Sequence, residues 1–190
     1  MTRRLISHLR YLALTVPGFD AEHEFLTKYW GLTEVATATV EGARVSYLAA
    51  EGSPEPYVVR LREGTKRIDL ISYGALDRDD VVALHDRLVA AGVQIVHPPQ
   101  DLTQPGGGWG FRFFDYDGRT IEVSTDVELR ENRKIQPREP VPVKLSHVVV
   151  NTPNLAETTQ WYIDNLDFAI SDTLMNPKMG DLMHFMRCNS

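Results

Sequence analysis

The chain has 190 residues, 43% of them hydrophobic and 24% charged, a balance typical of a soluble globular protein. Its formal net charge of -6, with acids and bases interspersed, argues against a nucleic-acid scaffold, because phosphate contacts need a basic face. A single cysteine excludes an internal disulfide framework and a cysteine-rich zinc module. The chain shows neither the ~20 consecutive apolar residues of a membrane span nor a signal peptide's apolar core. We therefore expect a cytoplasmic protein that binds neither membrane nor nucleic acid.

The first 63 residues predict the element order β-α-β-β-β. Residues 8–16, HLRYLALTV, are rich in apolar side chains and stop at a Pro-Gly pair, which predicts a strand. Asp20 is placed to cap a helix that continues to about Gly31. One side of this helix is expected to carry Phe25, Tyr29 and Leu32. Three further strands are predicted in the segments TEVATATVE, ARVSYLAAE and PYVVRLRE.

The same order of elements repeats over residues 67–124. The segment RIDLISYG predicts a strand, Asp77 starts a helix, and Gly92 ends it, as a glycine often does at a helix C-terminus. The segment VQIVHP predicts the next strand. GFRFFDYDGRTIEVS is typical of two alternating strands around an Asp-Gly turn, a strong hairpin signal. A second β-α-β-β-β unit is therefore expected to close near residue 124.

A third unit is predicted after a charged, proline-containing linker. The segment KLSHVVVN (144–151) predicts its first strand. Asn154 and Glu157 form a capping-box pattern before the helical segment LAETTQWYIDNL. The segments FAISDTL and DLMHFMRC then predict two strands, so the unit is expected to lack its last strand.

These elements predict an α+β fold of tandem βαβββ modules, two complete modules forming one domain and an incomplete third. The expected boundaries are residues 5–126 for the N-terminal non-catalytic domain, 127–143 for the linker, and 144–190 for the start of the catalytic domain.

An internal repeat relates the first and third units. An offset of 136 residues lays FLTKYWGL on WYIDNLDF and YLALTVP on HVVVNTP without a gap. At this offset Tyr11 corresponds to His147. Because the first copy has a tyrosine at this strand position, the fold itself does not demand a histidine there. His147 is therefore a candidate functional residue.

Three stretches carry a resemblance to a known family: GGGWGFRFFDYDGRTIEVS, KLSHVVVNTPN and GDLMHFMRCNS. The chain resembles the vicinal oxygen chelate superfamily of glyoxalase, bleomycin resistance and dioxygenase-like proteins, and within it the type I extradiol ring-cleavage dioxygenases. Members of that family have four modules, the first two non-catalytic and the last two catalytic. The resemblance covers nearly the whole chain and implies that residues 1–190 are an N-terminal portion.

The resemblance also implies roles for particular residues. His147 matches the family's first-strand metal ligand, usually of Fe(II), with Mn(II) as an alternative. Val149 and Phe185 match positions that line the aromatic substrate pocket. The family's other two ligands and its acid/base histidine match no residue of this chain, so no catalytic residue is expected within it. The chain alone is therefore expected to be inactive and free of metal.

The partners that the resemblance implies are a small catechol-type aromatic diol and O2, both of whose atoms enter the product. The parent protein is expected to act in aromatic catabolism as a homo-oligomer.

The family pattern places a corresponding pseudo-site in the first two modules, at Tyr11, Leu70 and Glu122. Of these, Glu122 alone keeps the chemistry of a metal ligand, and a lone carboxylate holds a transition metal poorly. We expect no metal at this place and an ion pair between Glu122 and either Arg112 or Arg119.

Other interpretations remain open from the sequence. A strand histidine flanked by valines is, taken alone, more often a buried and satisfied residue than a ligand. A metal-free small-molecule binding module of the bleomycin-resistance or glyoxalase type is the alternative function, and an incomplete module that docks on a partner chain is a third. His184, in LMHFM, belongs to no ligand position of the family pattern.

Overall fold

A computed structural model describes residues 4–189 of the chain. The first module consists of β1 (His8–Val16), α1 (Phe19–Glu24) with a π-helical turn (Phe25–Tyr29), β2 (Thr33–Val40), β3 (Ala43–Ala49) and β4 (Val59–Glu63). The second consists of β5 (Arg67–Gly74), α2 (Arg78–Ala90), β6 (Ile95–Asp101), β7 (Trp109–Phe114) and β8 (Thr120–Thr125). The third module contains α3 (Leu155–Leu166), β9 (Ala169–Asn176) and β10 (Gly180–Arg187). Among the described residues, no helix combines the length and apolar character that crossing a bilayer requires.

The eight strands of the first two modules form one sheet in the order β2-β3-β4-β1-β5-β8-β7-β6. In each module the first strand pairs in parallel with the last, β1 with β4 and β5 with β8. The two first strands meet antiparallel at the centre of the sheet, where Leu12 lies opposite Ile71. This arrangement relates the two modules by an approximate two-fold axis and confirms the predicted α+β fold of βαβββ modules.

Helix α2 covers one face of the second module. Its N-cap Asp77 accepts a hydrogen bond from the backbone N–H of Asp80 at 2.9 Å, as the sequence predicts. The helix buries Val81, Leu84 and Leu88 in a core shared with side chains of β7 and β8, among them Phe111, Phe113, Ile121 and Val123. Apolar spacing at i, i+3 and i+7 therefore fixes how this helix lies on the sheet.

The first helix differs from its prediction. Its N-cap is Gly18, and Asp20 pairs with Arg44 at 2.7 Å instead of capping the helix. Phe25 and Tyr29 are exposed. The side chains that this segment buries are Phe19, Leu26 and Leu32. The cause is the π-helical turn, in which the N–H of Trp30 bonds to the carbonyl of Phe25, because one extra residue per turn rotates the apolar face.

The internal repeat is confirmed at the level of single residues. The offset of 136 maps β2 onto β9 end to end. It also maps Gly31, at φ 77°, onto Asp167, at φ 57°, so both helices end in the left-handed conformation. The N–H of Leu32 bonds to the carbonyl of Leu26, and at the same offset the N–H of Phe168 bonds to that of Tyr162. The first and third modules therefore share their helix-to-strand geometry.

The predicted strand 144–151 has no ladder partner among the described residues, so this prediction is wrong as stated. In the first module the corresponding strand, β1, pairs with β4 and β5. The third module contributes β9 and β10, the counterparts of β2 and β3, and residues 4–189 contain no counterpart of β4 within it. The alternating sequence of residues 144–151 is typical of a strand. A strand needs a neighbouring strand to pair with, and residues 4–189 supply none for this segment. The Asn154 capping box also does not form, because the Asn154 side chain makes no capping hydrogen bond.

Gly110 lies where β7 and β8 pack closely. A Cβ atom at Gly110 would lie 2.4 Å from the carbonyl oxygen of Val123, so β7 would have to move away from β8. Gly110→Ala is expected to lower the free energy of unfolding by about 1–3 kcal/mol, measured by urea denaturation. Gly18→Ala is the control, since nothing lies within 4 Å of its added Cβ. Equal stability of the two variants would contradict this packing argument.

Candidate functional site

A groove of about 1070 Å³ lies between the first two modules and the third. One wall comes from residues 7–10 and 53–55, and the other from residues 144–152 and 182–189. The three residues that the sequence singles out, His147, Val149 and Phe185, all line this groove. These residues share one groove although they lie up to 38 positions apart in the chain.

Burial alternates along the segment that carries His147. Val148 and Val150 pack against the apolar core that the second module shares with α3, whereas Val149 is 59% exposed, and all three line the groove. His147 is exposed as well, and its Nδ1 lies 3.1 Å from the hydroxyl oxygen of Ser146. Among the described residues, its Nε2 has no hydrogen-bond partner. A hydrogen bond at one ring nitrogen fixes the ring and leaves the other available as a ligand.

Two more histidines line the same groove, but protein groups occupy both of their ring nitrogens. His8 contacts Ser7 through Nδ1 at 2.8 Å and Glu55 through Nε2 at 2.8 Å. His184 contacts the hydroxyl of Thr159 through Nδ1 at 2.7 Å and Asp181 through Nε2 at 3.2 Å. Of the three groove histidines, His147 alone keeps a ring nitrogen open towards other ligands among residues 4–189.

Sequence reasoning missed the cluster around Glu55. This buried carboxylate also accepts a hydrogen bond from Arg10 Nη1 at 3.0 Å, so an arginine and a histidine share one acid at the groove wall. Alternation along β1 places His8 and Arg10 on one face. Their acid comes from a loop 45 residues further on, which no local pattern could indicate.

The groove residues do not form a complete metal site by themselves. Within residues 4–189, no three side chains of His, Cys, Asp or Glu lie close enough together to hold a metal ion. His147 suits a divalent metal in its neutral imidazole form, but it supplies one donor, and stable sites of this type use several.

The pseudo-site of the first two modules is a closed polar cluster around Glu122, whose side chain is 0% exposed. Arg112 pairs with this carboxylate at 2.7 Å, which confirms one of the two expected partners. Tyr11 and Ser72 each donate a hydroxyl hydrogen bond to it at 3.0 Å. Gln104 donates a fourth hydrogen bond at 3.2 Å. The acceptor positions of the carboxylate are thus filled by protein donors.

One detail of the pseudo-site prediction needs correction. Ser72, not Leu70, contacts Glu122, because Ser72 is the direct register partner of Glu122 between β5 and β8. Leu70 instead packs with Tyr11 in an apolar cluster. Burial and the nearby Glu122 raise the pKa of Tyr11, so its phenol stays protonated and donates to the carboxylate.

Comparison with known proteins places the chain in a wider group. Residues 8–123 match the family model described as the Glyoxalase/Bleomycin resistance protein/Dioxygenase superfamily. A manganese-dependent 2,3-dihydroxybiphenyl 1,2-dioxygenase from Geobacillus genomosp. 3 is 28% identical over 88% of this chain and 55% of its own length. Metapyrocatechase 2 from Cupriavidus necator is 24% identical over 90% of this chain and 55% of its own length.

A solved structure agrees over nearly the whole chain. The Mn(II)-bound glyoxalase from Novosphingobium aromaticivorans is 39% identical, with a TM-score of 0.88 over 99% of this chain and 60% of that one. The chain thus spans about half the length of the curated relatives it matches.

Proposed function

The chain belongs to the glyoxalase/bleomycin resistance protein/dioxygenase superfamily, and from this membership we propose that it forms the N-terminal portion of a metal-dependent extradiol dioxygenase. The proposed enzyme opens the ring of a catechol-type diol and inserts both atoms of O2. The names of the two curated relatives support this reaction class, and one of them names manganese. Fe(II) or Mn(II) is the proposed metal, and aromatic catabolism in the cytoplasm is the proposed setting.

The observation that carries the proposal is the state of His147. It stands at the groove with Nδ1 held near Ser146 and with no partner for Nε2 among the described residues. The other two groove histidines are tied at both nitrogens. A ring that is oriented at one nitrogen and open at the other is suited to bind a metal.

Apolar groove residues support an aromatic substrate. Val149 is 59% exposed and Phe185 49% exposed, and both line the same groove as His147. Ligand sites combine such apolar walls with a few polar groups that orient the ligand. We propose that these two side chains contact the ring of the diol.

The remaining metal ligands are proposed to come from polypeptide outside residues 4–189. When bound, the metal would hold the diol and O2 in contact and lower the pKa of the diol hydroxyl groups. Because His147 is one donor among several, no reaction step is assigned to residues of this chain. We propose residues 5–126 as the non-catalytic domain, 127–143 as the linker and 144–190 as the start of the catalytic domain; Ser190 lies outside the described residues.

Self-association is part of the proposal. Several apolar side chains on β9, β10 and the turn between them stay exposed, namely Ile170, Leu174, Met175, Met179 and Leu182. Exposed apolar strands favour association with another chain. A homo-oligomer should therefore form, and sedimentation at several protein concentrations would reveal it; a monomer at every concentration would count against it.

Two other functions known in the superfamily are candidates for the groove: glyoxalase chemistry and metal-free binding of a small molecule. The 39% identity to a Mn(II)-bound glyoxalase favours glyoxalase chemistry, and the filled pseudo-site favours a metal-free binding module. Glyoxalase turnover without ring cleavage would favour the glyoxalase function. Tight binding of a small molecule, without metal and without turnover, would favour the binding module.

The deciding assay uses the full-length gene product loaded anaerobically with Fe(II) or Mn(II). With catechol or 2,3-dihydroxybiphenyl and O2, a yellow ring-opened product is expected to accumulate. The 190-residue chain, treated in the same way, is the matched control and should give none. Metal-loaded gene product that leaves both diols intact would overturn the proposed reaction.

A further inference from the structure

The turn between β7 and β8, residues 115–119, reaches across to the segment that carries His147. The guanidinium of Arg119 donates a hydrogen bond to the backbone carbonyl of Asn151. The same guanidinium is held from its own side by Asp115 at 2.8 Å and Asp117 at 2.9 Å. A planar donor fixed by two carboxylates is presented to the third module with little freedom to move.

Asp117 ties two parts of the third module to the same turn. Its carboxylate accepts a hydrogen bond from the hydroxyl of Thr152 at 3.1 Å and one from that of Thr158 at 3.3 Å. Thr152 closes the His147 segment, and Thr158 lies in the first turn of α3. The backbone N–H of Asn154 also bonds to the Thr152 hydroxyl at 3.0 Å. The end of the His147 segment is thereby fixed in relation to the helix that follows it.

Asp115 makes the third connection. Its side chain is fully buried and accepts hydrogen bonds from Arg119 and from the Tyr162 hydroxyl of α3, both at 2.8 Å. Burial, with the nearby Tyr73 and Asp115, raises the pKa of Tyr162, so the phenol remains a donor. A satisfied buried network of this kind specifies one arrangement of the parts it joins.

The His147 segment depends on these contacts because it has no backbone pairing among residues 4–189. Val148 and Val150 pack on the apolar core that the second module shares with α3, and Arg119 donates a hydrogen bond to the carbonyl of Asn151 at the end of the segment. Side-chain packing and the turn therefore supply the contacts that hold the segment in place.

We propose that Asp115, Asp117 and Arg119 are positioning residues through which the second module holds His147 at the groove and sets the metal affinity of the site. The metal part of this inference rests on the proposed function, whereas the positioning part does not. With this positioning role, the second module contributes to the proposed metal site although it supplies none of the metal ligands.

Cys188 provides a test that is independent of metal. It is the single cysteine of the chain, and it packs against the second module's core from the third module. Burial raises the pKa of its thiol, so slow labelling by a disulfide reagent is expected while the third module stays docked. Arg119→Gln should accelerate labelling in the 190-residue chain about 10- to 100-fold, the effect of losing charge-assisted hydrogen bonds.

Arg62→Gln is the matched control. Arg62 is 20% exposed against 15% for Arg119, and it pairs with Glu41 at 2.7 Å, away from the third module. Its labelling rate should match that of the unmodified chain. Thr152→Val removes one hydroxyl at nearly constant volume and should accelerate labelling even if Arg119→Gln fails to fold, as judged by circular dichroism.

The metal readout uses the full-length gene product. Arg119→Gln should weaken Mn(II) binding about 10- to 100-fold by titration, the effect of losing the charge-assisted hydrogen bonds that hold the end of the His147 segment. Arg119→Lys should not restore the affinity. Labelling rates unchanged by both Arg119→Gln and Thr152→Val would overturn the positioning role. Mn(II) affinity unchanged in Arg119→Gln would overturn its metal part. A gene product that binds neither Mn(II) nor Fe(II) before any substitution would instead refute the proposed function, and labelling would still decide the positioning.

Discussion

Arg112→Ala is expected to lower the free energy of unfolding by about 3–5 kcal/mol, because it leaves the Glu122 carboxylate buried without its cation. Glu122 is fully buried, and its other donors, Tyr11, Ser72 and Gln104, are neutral. Neutral hydrogen bonds do not replace the charge of the guanidinium beside a fully buried carboxylate. Equilibrium urea denaturation measures the effect directly.

Two further variants define the origin of this loss. Arg112→Ala combined with Glu122→Gln removes both charges and should recover much of the lost stability, since removal of a whole buried pair costs less than removal of one partner. Arg44→Ala removes an exposed arginine that pairs with Asp20 and Glu63, and should cost about 1 kcal/mol or less. An Arg112→Ala loss no larger than the Arg44→Ala loss would show that the cluster does not depend on this pair.

His147→Ala in the full-length gene product is expected to abolish tight metal binding and ring cleavage. Loss of a ligand should exceed the about 10- to 100-fold cost in metal affinity that loss of an outer-shell partner produces. Folding should be little affected, because the imidazole is exposed and its contact is with the adjacent Ser146. Metal titration, steady-state turnover and thermal unfolding of one preparation give the three quantities together.

His184→Ala is the control for this substitution. His184 lines the same groove, but Thr159 and Asp181 occupy both of its ring nitrogens. Its removal should leave metal affinity within a few fold of the unmodified protein. Equal losses from the two substitutions would mean that the open nitrogen of His147 does not distinguish it.

Repeats and periodicity made much of the fold predictable. The offset of 136 follows from local patterns, an apolar segment that ends before proline and a helix of matching length. The structure reproduces it in β2 and β9 and in the left-handed Gly31 and Asp167, but not as a paired strand at 144–151. The alternation of valines around His147 likewise indicated which side chains share a face. Local sequence carries these features because they arise from contacts between near neighbours.

The parts that sequence reasoning missed depend on distant residues. The π-helical turn moves Phe25 and Tyr29 to the surface, although an ideal helix would keep them on one buried side. Ser72 meets Glu122 only because β5 and β8 adopt one particular register. The hydrogen bond from Arg119 to Asn151 joins residues 32 positions apart. Composition and residue spacing do not predict these contacts, because the contacts form only when the modules pack against one another.

Anomalous X-ray diffraction from crystals of the full-length gene product grown with Mn(II) tests the proposed metal site most directly. We expect a manganese peak at the groove, in contact with Nε2 of His147 and close to Val149 and Phe185. A manganese peak on other residues, with the His147 ring turned away from it, would contradict the proposed site.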